Sequence, residues 1–361
     1  MKILIAGDWH SELHEEAAYQ ALGRLGHEVF RFSWNQYFQP HEGWLRPIDD
    51  ALKRAQNKYL AGPQLRRLNR DLLTRVAEVK PDTVFVYRGT HITARTLCEI
   101  KRRVPAATLV GYNNDDPFSP LHPGWLWRHF LESIPQYDLV LAYRHANLAE
   151  FRTAGARSVK LLRSWYIPDR NHPVELSPSD RERYGCDVMF AGHYEGDGRV
   201  KMLEDIVGQG FNVKLYGPPK YWNPVLMKSS LLARLAPVRQ VWGEEYNKAI
   251  AGAKLALCFL SKLNRDTYTR RCFEIPATGT MMLVEYTEDL ASLFKEDEEV
   301  AFFRTAEELR DKIAYYVQND ELRSRVAAAG HHRVVSSGHD VESRMRKVVH
   351  WIMEMRKAQA A

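Results

Sequence analysis

The chain has 361 residues and a mass of 41.8 kDa, too long for one typical hydrophobic core and suited to two domains. Its 45% hydrophobic and 27% charged content is ordinary for a globular protein, and no apolar run approaches the ~18 residues of a membrane-spanning helix. The formal charge of +6 is mildly basic, yet no zinc-ligand spacing, RNA-binding aromatic run or basic tail accompanies it, which argues against nucleic acid and leaves anionic small molecules, anionic lipid or plain solubility. Cys98, Cys186, Cys258 and Cys272 are far apart and form no CxxC, so they read as reduced core residues of a cytosolic protein.

In chain order, Lys2 to Ala6 is a short apolar strand and not a signal peptide. An amphipathic helix from about Leu13 to Leu25 follows, Gly26 caps it, and His27 to Phe32 resumes as a strand. The stretch 46–80 reads as helical and basic. Strands at 82–86, 108–112 and 139–142 then alternate with helices at 92–103 and 124–134. Around 164–185 the periodicity breaks amid Pro168, Pro173 and Pro178, which marks a linker. Alternation restarts with a strand at 187–192, a helix at 199–208, a strand at 212–216, a helix at 244–252 and a strand at 254–260. Helices at 305–318 and 320–330 and an amphipathic tail at 339–358 close the chain. The reading is an α/β protein with a first domain at 1–165, a linker at 166–186, a second domain at 187–338 and a final helix in 339–361.

Ligands of wound parallel sheets bind beyond the carboxyl ends of the strands. Asp8 and His10 follow the first strand, Arg88 and Gly89 the third, and Asn113-Asn-Asp-Asp-Pro117 the fourth. Each is either a ligand contact or ordinary turn chemistry, and the adjacent acids Asp115 and Asp116 lack the spacing of a metal-binding DxD. In the second half, Gly192 to Arg199 joins a strand to a helix start. Its glycines permit close approach of a phosphate, and Arg199 and Lys201 add charge. It is not a GxGxxG dinucleotide fingerprint. Gly217 and Gly243 stand at two further turns, and no HExxH is present.

The most informative stretch is 264–285, a polar loop, a short helix containing Glu274, a stop at Gly279 and an apolar strand. Arg271 and Glu274, three apart, share one helix face. A surface ion pair is the plain explanation, but the apolar sequence around them makes the segment a covered layer where charge needs a partner. Arg271-Cys-Phe-Glu274 followed by Ala277-Thr-Gly279 resembles the signature of the spore-maturation CgeB-like glycosyltransferases, a group similar to the large retaining family that uses nucleotide-sugars on a GT-B fold. Asp266 and Glu274 have the eight-residue separation of that family's two acids, with Asp at 266 where the family has Glu. The LGRLGHEV segment at the end of the first helix also resembles the opening of many GT-B enzymes.

The resemblance implies two Rossmann-like domains facing a cleft, the last helix crossing back to the first domain, and retaining, metal-independent hexosyl transfer in cell-surface glycan synthesis. It implies donor contacts at Gly192, Arg199, Gly217, Gly243, Thr267, Tyr268, Thr269, Arg271 and Glu274, with Glu274 on the ribose and Asp266 facing the donor sugar. His10, Asp116 and Asp266 are the catalytic candidates, and Asp8, Arg88 and Asp115 lie on the acceptor side. The nucleotide-diphosphate sugar is a co-substrate, with no permanent cofactor and no metal. The acceptor is a glycan, a lipid-linked sugar or a protein. The expected location is cytoplasmic, with the basic region 46–80 allowing peripheral contact with the inner membrane face. Two other readings stay open, a non-catalytic sugar-nucleotide or glycan binder and a GT-B-like epimerase.

Overall fold

The computed structural model describes residues 1–40 and 46–360. It divides into two compact units, Met1–Ser164 with Val341–Ala361, and Trp165–Asp340. The first holds a six-stranded parallel sheet built from β1 (Lys2–Gly7), β2 (Glu28–Ser33), β3 (Thr83–Tyr87), β4 (Thr108–Asn113), β5 (Leu139–Ala142) and β6 (Val159–Leu161). Its spatial order is β2-β1-β3-β4-β5-β6. The second unit holds β7 (Cys186–Ala191), β8 (Val213–Tyr216), β9 (Ala253–Cys258), β10 (Met281–Glu285) and β11 (Ala301–Phe303), also all parallel, in the order β11-β10-β9-β7-β8.

Renumbered from its own first strand, the second sheet runs 2-1-3-4-5, the order of the first sheet without its sixth strand. In both, the order reverses between the first strand of the unit and its third, and that switch point is where a doubly wound sheet opens a crevice for ligand. Central strands such as Thr83–Tyr87 are buried along their whole length, because helices cover both faces and every side chain must be apolar or satisfied. The fold class therefore agrees with the sequence reading.

Several elements differ from it. The basic stretch 46–80 is two helices, Arg46–Tyr59 and Pro63–Val79, separated at Gly62, whose φ of 110° no helix accepts. Within the expected linker, Pro178–Tyr184 is helical, started by a reciprocal Ser177/Asp180 capping box with Pro178 at the first helical position. The strands β6 and β11 have three residues each, too short for a period to show in sequence. Cys98, expected in the core, is exposed on the helix Ala94–Arg103, whose buried face carries Thr96, Leu97 and Ile100 instead. The C-terminal helix Val341–Ala360 packs in the first unit, where Arg356 donates to the Asp82 carbonyl at 2.8 Å and Arg344 to the Ser164 carbonyl at 3.3 Å.

One buried residue of the first unit has a measurable signature. His91 stacks on Trp34 at 5.3 Å, with Nε2 2.8 Å from Asn57 Oδ1 and Nδ1 2.9 Å from the Thr90 hydroxyl. Burial pushes its pKa down from 6.5 to about 4. The unfolded chain therefore takes up this proton near pH 6.5 while the folded chain resists it, so the contribution is complete above that pH and is lost as pH falls toward 4. The expected loss is about 3 kcal/mol. Denaturant midpoints followed from pH 7 to 4.5 should fall more steeply for the wild type than for His91→Gln.

Candidate functional site

In the second unit the chain leaves β7 through Gly192 and β8 through Gly217. A side chain at Gly217 would place its Cβ 2.3 Å from the Gly192 carbonyl, so both turns are held to glycine by mutual closeness. Trp222 Nε1 donates to that carbonyl at 2.8 Å and fixes the turn from below. A Cβ at Gly192 would meet the Phe190 ring at 2.8 Å and Arg271 Nη1 at 3.3 Å. A guanidinium thus lies against the bare backbone at the switch point between β7 and β9.

The two arginines expected there behave differently. Arg199 is buried and fully engaged. Nε donates to Asp197 Oδ1 at 2.7 Å, Nη2 to Asp197 Oδ2 at 2.5 Å, and Nη1 to the His193 carbonyl at 2.6 Å. The Leu260 carbonyl accepts a further contact at 3.4 Å. Burial opposes the Asp197 charge, but Arg199 outweighs it and holds that carboxyl below its usual range. Arg199 therefore clamps the 193–199 loop and has no free face for a phosphate. Among the described residues Arg271 donates one long bond to a carbonyl, from Nη2 to Phe259 at 3.4 Å; its Nε is buried without a hydrogen-bond acceptor, and the guanidinium otherwise lies against the Cys258 thiol and the Phe190 ring. Its field reaches His193, whose pKa is lowered by burial first and by this cation second.

The remaining residues of the motif fall into two groups. Glu274 is buried with both oxygens turned to neighbours, Oε1 accepting from Arg270 Nε at 2.6 Å and Oε2 from the Tyr246 hydroxyl at 3.0 Å. Tyr246 lies on the helix Gly243–Ala251 and was not singled out in the sequence; burial, then the Glu274 charge, holds its phenol protonated. Gly243 begins that helix at φ 54°, with open space where a Cβ would be. Asp266 is half-buried in the loop before the helix, its backbone N–H donating to the Ser261 carbonyl at 2.8 Å. Thr267 is tied to the next turn, donating to Asp289 at 2.7 Å and accepting from Thr287 at 2.6 Å through its carbonyl. Tyr268 is a core residue against Phe273, with no surface to offer a donor. The Thr269 amide points at Cys272 Sγ, 3.5 Å away. The helix Arg271–Ala277 has seven residues, so the dipole expected at its start is weak and Arg271 itself supplies the charge.

The first unit has its own polar cluster at the switch point between β1 and β3. Asp8 Oδ2 lies 3.0 Å from His10 Nδ1. Burial works against the Asp8 charge, but the histidine prevails and its pKa is lowered; the same hydrogen bond raises that of His10. Arg88 pairs with Asp115 at 2.8 Å and lies over the Trp127 ring. Asp116 differs from its neighbour. It is fully buried, accepting from the Phe118 amide at 3.1 Å and Asn147 at 3.0 Å, so it fixes the turn. Glu15, not anticipated from sequence, is buried at the start of the helix Glu15–Arg24 and takes the Asp8 amide at 2.9 Å. A Cβ at Gly7 would come within 2.5 Å of its side chain. Desolvation raises its pKa. The two switch points thus carry opposite groups against the same kind of glycine, a carboxyl in the first unit and a guanidinium in the second.

Among the described residues no group of three His, Cys, Asp or Glu is placed to hold a metal ion, and no helix is long and apolar enough to cross a membrane. Residues 199–350 match the family described as Glycosyl transferase-like. No curated protein sequence matches the chain. Among solved structures, HepE of Anabaena in complex with UDP and glucose is similar over 98% of this chain and 100% of that one, with a TM-score of 0.69 and 14% identity. Sucrose-phosphate synthase from Thermosynechococcus elongatus is similar over 99% and 100%, with a TM-score of 0.72 and 11% identity. The α,α-trehalose 6-phosphate synthase from Burkholderia multivorans is similar over 99% and 98%, with a TM-score of 0.64 and 11% identity. With two wound sheets of one topology, the chain has the GT-B fold, and its segment 199–350 is similar to the glycosyl transferase-like family.

Proposed function

We propose that this protein is a glycosyltransferase that moves a sugar from a nucleotide-diphosphate sugar to an acceptor hydroxyl, with the donor held by the second unit. The observation that supports this most is the guanidinium of Arg271 beside Gly192, its buried Nε without a hydrogen-bond acceptor, at the switch point where an anion would sit. Structural neighbours bound to UDP and UDP-glucose favour a uridine donor.

In the reaction the bond from the anomeric carbon to the diphosphate oxygen breaks and its electron pair stays on the diphosphate. The acceptor oxygen bonds to the anomeric carbon and loses its proton. Arg271 stabilises the charge that grows on the leaving group, the kind of electrostatic contribution that is strongest when the donor is already in place. Glu274 has acceptor capacity beyond Arg270 and Tyr246, since a carboxylate offers about four lone-pair sites, and it takes the ribose hydroxyls. Asp266 faces the donor sugar from the half-buried loop. On the acceptor side, Asp8 orients His10 through Nδ1 and strengthens it as a base, leaving Nε2 for the acceptor proton. Arg88 and Asp115 form a fixed pair beside it. The stereochemical course is retaining, and the arginine replaces a divalent metal.

Thermal melting with UDP, ADP and GDP in EDTA tests the donor assignment. UDP at 100 times its Kd should stabilise by about 2.7 kcal/mol and raise Tm by several degrees, more than ADP or GDP. No shift with any nucleotide would overturn the reading. UDP-sugar turnover without an acceptor product would point to epimerisation, and binding without turnover to a non-catalytic protein.

A further inference from the structure

We propose that the first unit docks on an anionic lipid bilayer through the helices Arg46–Tyr59, Pro63–Val79 and Ala94–Arg103. These helices pack in succession along the chain. Together they carry twelve Lys and Arg against five Asp and Glu, a surplus of seven, while the whole chain has a surplus of six. The net positive charge of the protein is therefore concentrated on this one set of helices, and the rest of the chain is slightly acidic. A charge placed only for solubility has no reason to be so concentrated.

The second observation is apolar. Ile48, Leu52 and Tyr59 are 64%, 57% and 54% exposed. At 100° per residue they fall within about 40° of one another on the first helix. Lys53, about 120° round the same helix, is buried. This helix turns a large aliphatic stripe outward, with Arg54 and Lys58 exposed along its flank. The stripe meets the Trp125 ring, 5.8 Å from that of Tyr59. Outward aliphatic side chains beside cations are what an interfacial helix presents to headgroups and the acyl boundary.

A third feature adjoins these. Between the helices Pro63–Val79 and Ala94–Arg103 lies an open groove of about 700 Å³, lined by Arg66, Arg70, Arg95, Arg102 and Arg103 with Glu99 as the sole acid. Glu99 engages Arg102 and Arg103 at 2.7 Å each, while Arg66 and Arg95 hold no carboxylate among the described residues. The groove fits a phosphate-bearing headgroup. Nucleic acid would use the same cations but has no call on Ile48 and Leu52, which is why a bilayer is the better match.

Sedimentation of the full-length protein with vesicles tests this directly and requires no nucleotide, so its outcome is independent of the donor reading. The protein should sediment with phosphatidylcholine vesicles containing phosphatidylglycerol and stay in solution with phosphatidylcholine alone. Arg66→Ala and Arg95→Ala should each weaken partitioning about five-fold at low salt. The double variant Ile48→Glu with Leu52→Glu should lose most binding while melting as the wild type does, since both positions are exposed. Binding equal on both vesicle types, no binding to either, or wild-type binding by the double glutamate variant would each overturn the proposal. Equal affinity of wild type and double variant for a single-stranded oligonucleotide, with no vesicle binding, would assign the surface to nucleic acid instead.

Discussion

Arg271→Ala should lower kcat/KM for sugar transfer by about 100- to 1,000-fold, the effect of removing one pre-placed donor from a developing oxyanion. Most of the loss should lie in kcat, because the guanidinium meets its full charge only when the diphosphate departs. The fold should survive. The bond Arg271 gives the Phe259 carbonyl is long, at 3.4 Å, and its Nε is buried without a hydrogen-bond acceptor, so truncation costs mainly its contacts with the Cys258 thiol and the Phe190 ring. Arg271→Lys keeps the charge but loses the planar fork, and should recover only part of the rate. Steady-state kinetics with a UDP-sugar, paired with thermal melting, checks both halves. Wild-type kcat in a well-folded Arg271→Ala protein would remove this residue from the chemistry.

Arg199→Ala should do the reverse, damaging stability first. Its guanidinium is buried and satisfied by Asp197 and by two main-chain carbonyls, so alanine leaves Asp197 as an uncompensated charge and frees the loop after β7. Breaking such a pair costs about 3–5 kcal/mol. For a unit of this size that is a fall in Tm of about 10 °C. The double substitution Arg199→Met with Asp197→Leu should restore much of the lost stability, because no orphan charge remains. Donor affinity in that double variant should stay below wild type, since the loop carrying Gly192 loses its clamp. A Tm unchanged in Arg199→Ala would show that the network does not hold the loop.

The two arginines show where sequence reasoning stopped. Both occupy positions after a strand of a wound sheet, and both look like phosphate ligands. What separates them is the company each keeps. Asp197, two residues before Arg199, was visible, but the Leu260 carbonyl that completes its cage arrives from 61 residues away. The same holds for Asp115 and Asp116, neighbours in sequence with opposite fates, one paired to Arg88 and one sealed beneath a turn. Tyr246 gave no local signal, because the helix that carries Glu274 is 28 residues away in sequence, and Glu15 gave none, because only the turn after β1 folds it back onto Gly7. The alternation of apolar strands with amphipathic helices, by contrast, is local and legible for most elements; it fails for strands of three residues, for the helix His145–Thr153, and for the helices Pro178–Tyr184 and Pro219–Leu226, which start among prolines.

The doubled topology has one more result. Two copies of the same wound sheet would, left alike, provide two seats for a diphosphate in each chain. Glu15 fills the first seat with a tethered acid, already bonded to the amide a phosphate would seek. The first switch point thus carries an acid where the second carries a guanidinium, and the two halves of one repeated design present opposite charges to an anion.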